Sequence, residues 1–145
     1  MSANIRIRVA VIIRKDNKIL LIEHHKNSQY YWLLPGGGLE YQEDIKACAE
    51  RELKEETNLD IKVGDLAFIS EAINPDGSRH LIQLVFFAEQ TGGELKLGDE
   101  ERLHSLRYID ISELESLQMY PPVAKHIIEA VKGTRPPSYL GNFWI

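Results

Sequence analysis

Between Gly37 and Leu59 the chain reads GGLEYQEDIKACAERELKEETNL, and no other stretch restricts its fold as tightly. The segment has strong helical character from about Gln42 to Thr57, behind a glycine-rich loop. On a helical wheel Ile45, Cys48 and Ala49 lie within about 60° of Glu52, while Lys46, Ala47, Glu50 and Lys54 take the outer side. Glu52, Glu55 and Glu56 are spaced three and four apart, so they continue the face that is apolar one and two turns earlier. A solvated helix explains the pairs Glu50–Lys54 and Lys46–Glu50 but not three like charges turned inward. Inward carboxylates are expensive unless paired or bound to metal, and hard cations such as Mg²⁺ are held by clustered carboxylate oxygens. The stripe predicts a metal site.

Around this helix the chain alternates strands and helices without repeats. Ile5 to Ile13 and Ile19 to Ile22 read as strands joined by the turn Lys15-Asp16-Asn17-Lys18. A loop carrying Asn27, Ser28, Gln29, Tyr30, Tyr31 and Trp32 leads to Leu33-Leu34-Pro35. Further strands are predicted at Ile61–Val63, Leu66–Ala72 and His80–Glu89, the last two joined through Asn74-Pro75-Asp76-Gly77. Leu106 to Ile109 reads as a short strand, Ile111 to Leu114 as a helical turn, and Pro121-Pro122 as the opening of a last helix through about Val131. The tail from Gly133 is too rich in proline and glycine for a regular element, yet carries Tyr139, Leu140, Phe143, Trp144 and Ile145. It is expected to dock on its own domain; the alternatives are a lid or a subunit contact, as in a homodimer.

At 145 residues, 43% hydrophobic and 27% charged, residues 1–145 are expected to form a single domain with a genuine core. A net charge of −5 without a basic stripe argues against a nucleic-acid polymer as partner, but not against a small phosphorylated ligand. The single cysteine, Cys48, is read as a small core residue. No apolar run suits a membrane span and the start MSANIRIRVA lacks a signal-peptide pattern, so a cytoplasmic protein with no membrane partner is expected.

The glutamate segment resembles the Nudix box: G, five residues, E, seven residues, then R-E-U-x-E-E-x-G-U, with U aliphatic. Gly37, Glu43, Arg51, Glu52, Leu53, Glu55, Glu56 and Leu59 match. Asn58 replaces the second glycine; Asn is the best non-glycine residue for a left-handed helix stop. WLLPGGG before the box and YIDISEL after it are also similar to the family. The resemblance implies an α/β (α+β) fold, the Nudix α/β/α sandwich with a mixed sheet. It implies hydrolysis of the pyrophosphate bond in a nucleoside diphosphate linked to another moiety, of ADP-ribose, nucleotide-sugar or (d)NTP type, by water activated by Mg²⁺ or Mn²⁺.

By the same correspondence, Glu52, Glu55, Glu56 and the carbonyl around Gly37 hold metal, Arg51 orients Glu52, and Glu43 buttresses the loop. The general base is either a box glutamate or one on a later loop, where Glu100 and Glu101 fall. Candidate substrate contacts are His24 or His25, Tyr30 or Tyr31, and Arg79 or His80, with His24, Tyr31 and Arg79 preferred. Pro75, sixteen residues beyond the box, resembles a marker for ADP-ribose-type substrates, though turn chemistry also explains it. Two alternatives share the fold: a non-catalytic nucleotide-binding or regulatory module, expected to lose box carboxylates, and an isopentenyl-diphosphate-type isomerase, which would want a reactive cysteine in the pocket.

Overall fold

The first strand, β1 (Ile5–Lys15), sets the layering, because its alternate residues feed two separate cores. Val9, Val11 and Ile13 pack with Cys48, Ala49 and Leu53 of helix α1 (Ile45–Thr57). Ala10 and Ile12 pack on the opposite face with Ile127 of helix α2 (Ala124–Lys132) and Leu114 of a 3-10 turn at Ile111–Ser116. Side chains that alternate across a strand bury both faces of a sheet only when helices cover both. The structure is a computed structural model that describes residues 4–134 and 136–143.

Strands β2 (Lys18–Lys26), β3 (Gln29–Leu33), β5 (Asp60–Ile73), β6 (His80–Gly92) and β8 (Ser138–Asn142) extend the sheet in the order β3-β2-β1-β6-β5-β8. The short strand β4 (Gly36–Gly38) pairs with β1, and β7 (Leu103–Asp110) with β2. β1 runs parallel to β6 and antiparallel to β2 and β4. The result is the expected mixed sheet between helices.

Several expected boundaries move. The stretch read as a loop, Gln29 to Trp32, is β3, because Asn27 and Ser28 both adopt positive φ and close a two-residue hairpin. That hairpin sets His24 opposite Tyr31. α1 begins at Ile45 rather than Gln42: Gln42 is left-handed, and the Asp44 side chain caps the helix by accepting the Ala47 N–H at 2.8 Å. The two strands expected across residues 61–72 are one strand with register shifts. α2 starts at Ala124, beyond both prolines, because Val123 at φ −111° and ψ 14° is its non-helical N-cap.

The tail docks on its own domain as expected, but it does so as a regular element. Ser138–Asn142 forms β8, parallel to β5, with Gly141 in a left-handed conformation where the register shifts. Leu140 and Phe143 pack against the α2-side core, and the Tyr139 hydroxyl donates to Glu71 at 2.6 Å. Trp144 and Ile145 lie outside the described residues. No described helix is long and apolar enough to cross a membrane.

Candidate active site

The glycine strand fits between β1 and helix α1 because two side chains are missing, Gly36 on the β1 side and Gly37 on the α1 side. A Cβ on Gly36 would collide with the Val9 carbonyl, and one on Gly37 with the Glu52 carboxylate. The Gly36 N–H donates to Glu56 Oε1 at 2.8 Å. Glu56 is 0% exposed, and its Oε2 has no hydrogen-bond partner; Arg102 Nη2 stands 3.9 Å away. Burial pushes this carboxyl up to about 7, against the pull of Arg8 and the Gly36 bond. Glu52, one turn earlier, is buried too and is raised by burial, against the hydrogen bond from Arg51. Glu55, expected on the same inward stripe, instead stands half-exposed at the helix edge, 3.5 Å from Arg51 Nη1, so only two of the three carboxylates turn inward.

Arg51 joins loop to helix. Its Nε and Nη2 donate to the two oxygens of Glu43 at 2.7 and 2.9 Å, Nη2 reaches the Gly38 carbonyl at 3.2 Å, and Nη1 donates to Glu52 at 2.8 Å. The bond to Arg51 holds Glu43 down to about 2, and Glu43 in turn raises Arg51. Asn58 ends the helix at φ 63° and donates from Nδ2 to the Glu94 carbonyl at 2.9 Å. Cys48 is buried beneath the loop, its thiol 3.5 Å from the Gly38 carbonyl and pushed up to about 12 by burial. It is not poised as a nucleophile.

A cavity of ≈ 170 Å³ opens beside Gly36 and Gly37. His24, Tyr31 and Arg79 all line it. His25 and Tyr30 instead stack on each other with ring centroids 4.2 Å apart, and His80 pairs with Glu71 at 3.0 Å. Sequence reasoning missed Arg6, Arg8, Lys26, Arg102 and Tyr120, which also line the cavity. Arg6 and Arg8 share one side of β1 by their spacing of two, a signal that could have been read. Although the sequence carries no basic stripe, five cations from four chain segments meet in one cavity of a chain with net charge −5. Arg8 is anchored by donation to Gln83 Oε1 at 3.0 Å and to the Leu34 carbonyl at 2.8 Å.

The loop before β7 separates its two glutamates. Glu100 lines the cleft wall with Arg51, Glu52 and Glu55 and pairs with Arg102 at 2.6 Å. Glu101 is exposed in the turn and is not among the residues lining that wall.

Among the described residues no three acidic, histidine or cysteine side chains already stand as a ready metal cage. Arg51 and the Gly36 N–H engage Glu52 and Glu56 instead. The donor set nonetheless fits a hard divalent cation. It consists of oxygens, one of which, Glu56 Oε2, is buried and accepts no hydrogen bond among the described residues, beside a second inward carboxylate.

The NUDIX domain family pattern matches residues 4–131. An ADP-ribose pyrophosphatase of Methanocaldococcus jannaschii is 39% identical over 107 residues, 73% of this chain and 62% of that protein. An NAD-capped RNA hydrolase NudC of Vibrio atlanticus is 30% identical over 121 residues, 83% of this chain and 43% of that protein. The chain thus spans less than two thirds of the length of either relative. A NUDIX hydrolase structure from Nitrosomonas europaea superposes with a TM-score of 0.81 over 92% of this chain and 93% of that one, at 20% identity, a likeness of fold alone. The chain belongs to the Nudix family.

Proposed function

We propose that the chain is a divalent-metal-dependent hydrolase of the pyrophosphate bond in a nucleoside diphosphate derivative, using Mg²⁺ or Mn²⁺. The observation that carries this reading is the inward oxygen of Glu56 that accepts no hydrogen bond, set beside Glu52 against a glycine backbone at the edge of a cationic cavity. Glu52, Glu55, Glu56 and the Gly37 carbonyl are the residues that would hold the metal. A bound divalent cation supplies polarisation of the phosphate oxygens and lowers the pKa of a bound water.

The remaining work falls to side chains that position and neutralise, as phosphoryl transfer chiefly requires. Arg51 is a positioning residue: it fixes the Glu52 carboxylate while Glu43 fixes Arg51. Arg8 and Arg102 offset charge on the diphosphate from the cavity side, and Tyr31 and Tyr120 supply ring faces for the nucleoside. Glu100 is the loop carboxylate placed to accept the proton of the attacking water, since it shares the wall with Glu52 and Glu55. Likeness to an ADP-ribose pyrophosphatase and to an NAD-capped RNA hydrolase favours ADP-ribose and NAD-type diphosphates as the first substrates to try. A binding module is the less favoured reading, because the box carboxylates are all present.

The test is turnover of ADP-ribose, NADH, UDP-glucose and dNTPs with Mg²⁺ or Mn²⁺ and with chelator, followed by hydrolysis in ¹⁸O-labelled water. The expected result is metal-dependent release of two phosphorylated products, with the label on one product phosphate. Label on neither product, or no cleavage with metal demonstrably bound, refutes the hydrolase.

A further inference from the structure

Positive charge in the cleft exceeds what a diphosphate at the carboxylate wall would meet. Arg102 is paired with Glu100, and Arg8 is tied to Gln83 and the Leu34 carbonyl close to the Glu56 charge. Arg6 lines the carboxylate wall as well as the cavity, whereas Lys26 and Arg79 are not among the residues of that wall. Lys26 ends β2 and Arg79 immediately precedes β6, so two distant segments bring them together. Both line the ≈ 170 Å³ cavity and also a second, adjoining cavity of ≈ 320 Å³, which Tyr31 and Tyr120 share. Among the described residues no carboxylate lines either cavity and neither cation makes an ion pair. The Arg79 guanidinium lies 5.9 Å from the Tyr120 ring centroid, within cation–π reach, and Tyr120 lines both cavities.

A second observation also points to a ligand. His24 is only 6% exposed and lines the inner cavity, yet among the described residues its Nε2 has no hydrogen-bond partner. Burial, then Arg102, Arg8 and Lys26, hold its pKa down to about 4, so the imidazole is neutral at pH 7. A buried polar nitrogen is normally satisfied, and here a cavity occupant can satisfy it.

We propose that the outer half of the cleft is a phosphate subsite: the substrate carries a further phosphate beyond the scissile diphosphate, held between Lys26 and Arg79, with His24 contacting the segment that joins them. Phosphate suits the pair, since lysine meets it as a point charge and arginine as a fork. This rests on the reading of the box wall as the place of diphosphate cleavage. The further phosphate is either a monoester on the nucleoside or its linked moiety, or the third phosphate of a triphosphate.

The experiment compares kcat/KM for ADP-ribose with its 2′-phosphate, NADH with NADPH, and ADP with ATP, in wild-type and in Lys26→Ala/Arg79→Ala. A charged hydrogen-bonded contact is worth about tenfold or more, so at least one phosphorylated member should exceed its partner by about that factor, chiefly through KM. The first two pairs report a monoester and the third a triphosphate. In the double variant the ratio should fall to about one. Ratios near one in wild-type, or a preference that survives the double substitution, overturn the subsite.

Equilibrium binding of the same pairs in chelator separates the two proposals. If nothing is cleaved but the phosphorylated ligand still binds about tenfold tighter through Lys26 and Arg79, the subsite stands and the hydrolase reading falls. Equal binding overturns the subsite whatever the turnover.

Discussion

Glu56 makes the folded protein sensitive to pH in a direction opposite to that of most carboxylates. Its ordinary value is 4.5, and burial raises it to about 7, so the native state binds this proton more tightly than the unfolded chain does. The stabilisation is complete below pH 4.5 and is lost as pH rises through 7. At 1.36 kcal/mol per pH unit, the whole effect is about 3 kcal/mol. His24 acts the other way: with its pKa lowered from 6.5 to about 4, stability is lost as pH falls through that window. The two effects largely offset each other in the wild-type profile, which therefore reveals neither.

Glu56→Gln separates them. It keeps the shape and the acceptor for the Gly36 N–H but carries no charge at any pH. In chelator, the variant should match wild-type near pH 4.5 and exceed it by about 3 kcal/mol at pH 8, or about 6–12 °C in Tm for a domain of this size. Urea or thermal melts at half-unit pH steps read the difference. A stability difference that does not change between pH 4.5 and 8 would refute the buried, charge-penalised placement of Glu56. Added Mg²⁺ should narrow the gap at pH 8, since a bound cation favours the ionised form.

Three other outcomes are expected. Glu52→Gln should lower turnover of any cleaved substrate by at least about a hundredfold without loss of stability, and near-native activity would place the site elsewhere. Asn58→Val should destabilise by about 1–3 kcal/mol, because a β-branched residue resists φ 63°. Asn58→Gly should stay within about 1 kcal/mol of wild-type, as relief of the left-handed backbone offsets the lost bond to the Glu94 carbonyl; urea melts check both. Native Cys48 should react with iodoacetamide at pH 8 far more slowly than in denaturant, because burial pushes its thiol up to about 12, and equal rates would mean the thiol is accessible.

The local part of the site was legible in the sequence because a helix has a fixed period. Spacings of three and four put Glu52 and Glu56 on the inner face with Cys48 and Ala49, and the structure buries all four. The helix stop at Asn58 was readable for the same reason, since left-handed backbone has few tolerant residues. The hairpin turn at Asn27-Ser28 was missed, and with it β3, although its aromatic run has strand character. β8 was missed because its pairing partner, β5, lies some seventy residues earlier, and prolines and glycine in the tail argued against any strand.

The cleft belongs to the tertiary structure alone. Arg6 and Arg8 come from β1, Lys26 from the end of β2, Arg79 from the turn before β6 and Arg102 from the loop before β7. Their convergence depends on β1 pairing in parallel with β6 while β2 pairs with β7, contacts between segments that no local period relates. The same pairings place Glu100 on the wall of the cleft and leave Glu101, its neighbour, in the exposed turn. A helical period fixes which residues share a face, so the carboxylates could be read from the chain; which distant cations face them is set by strand order, which only the folded sheet supplies.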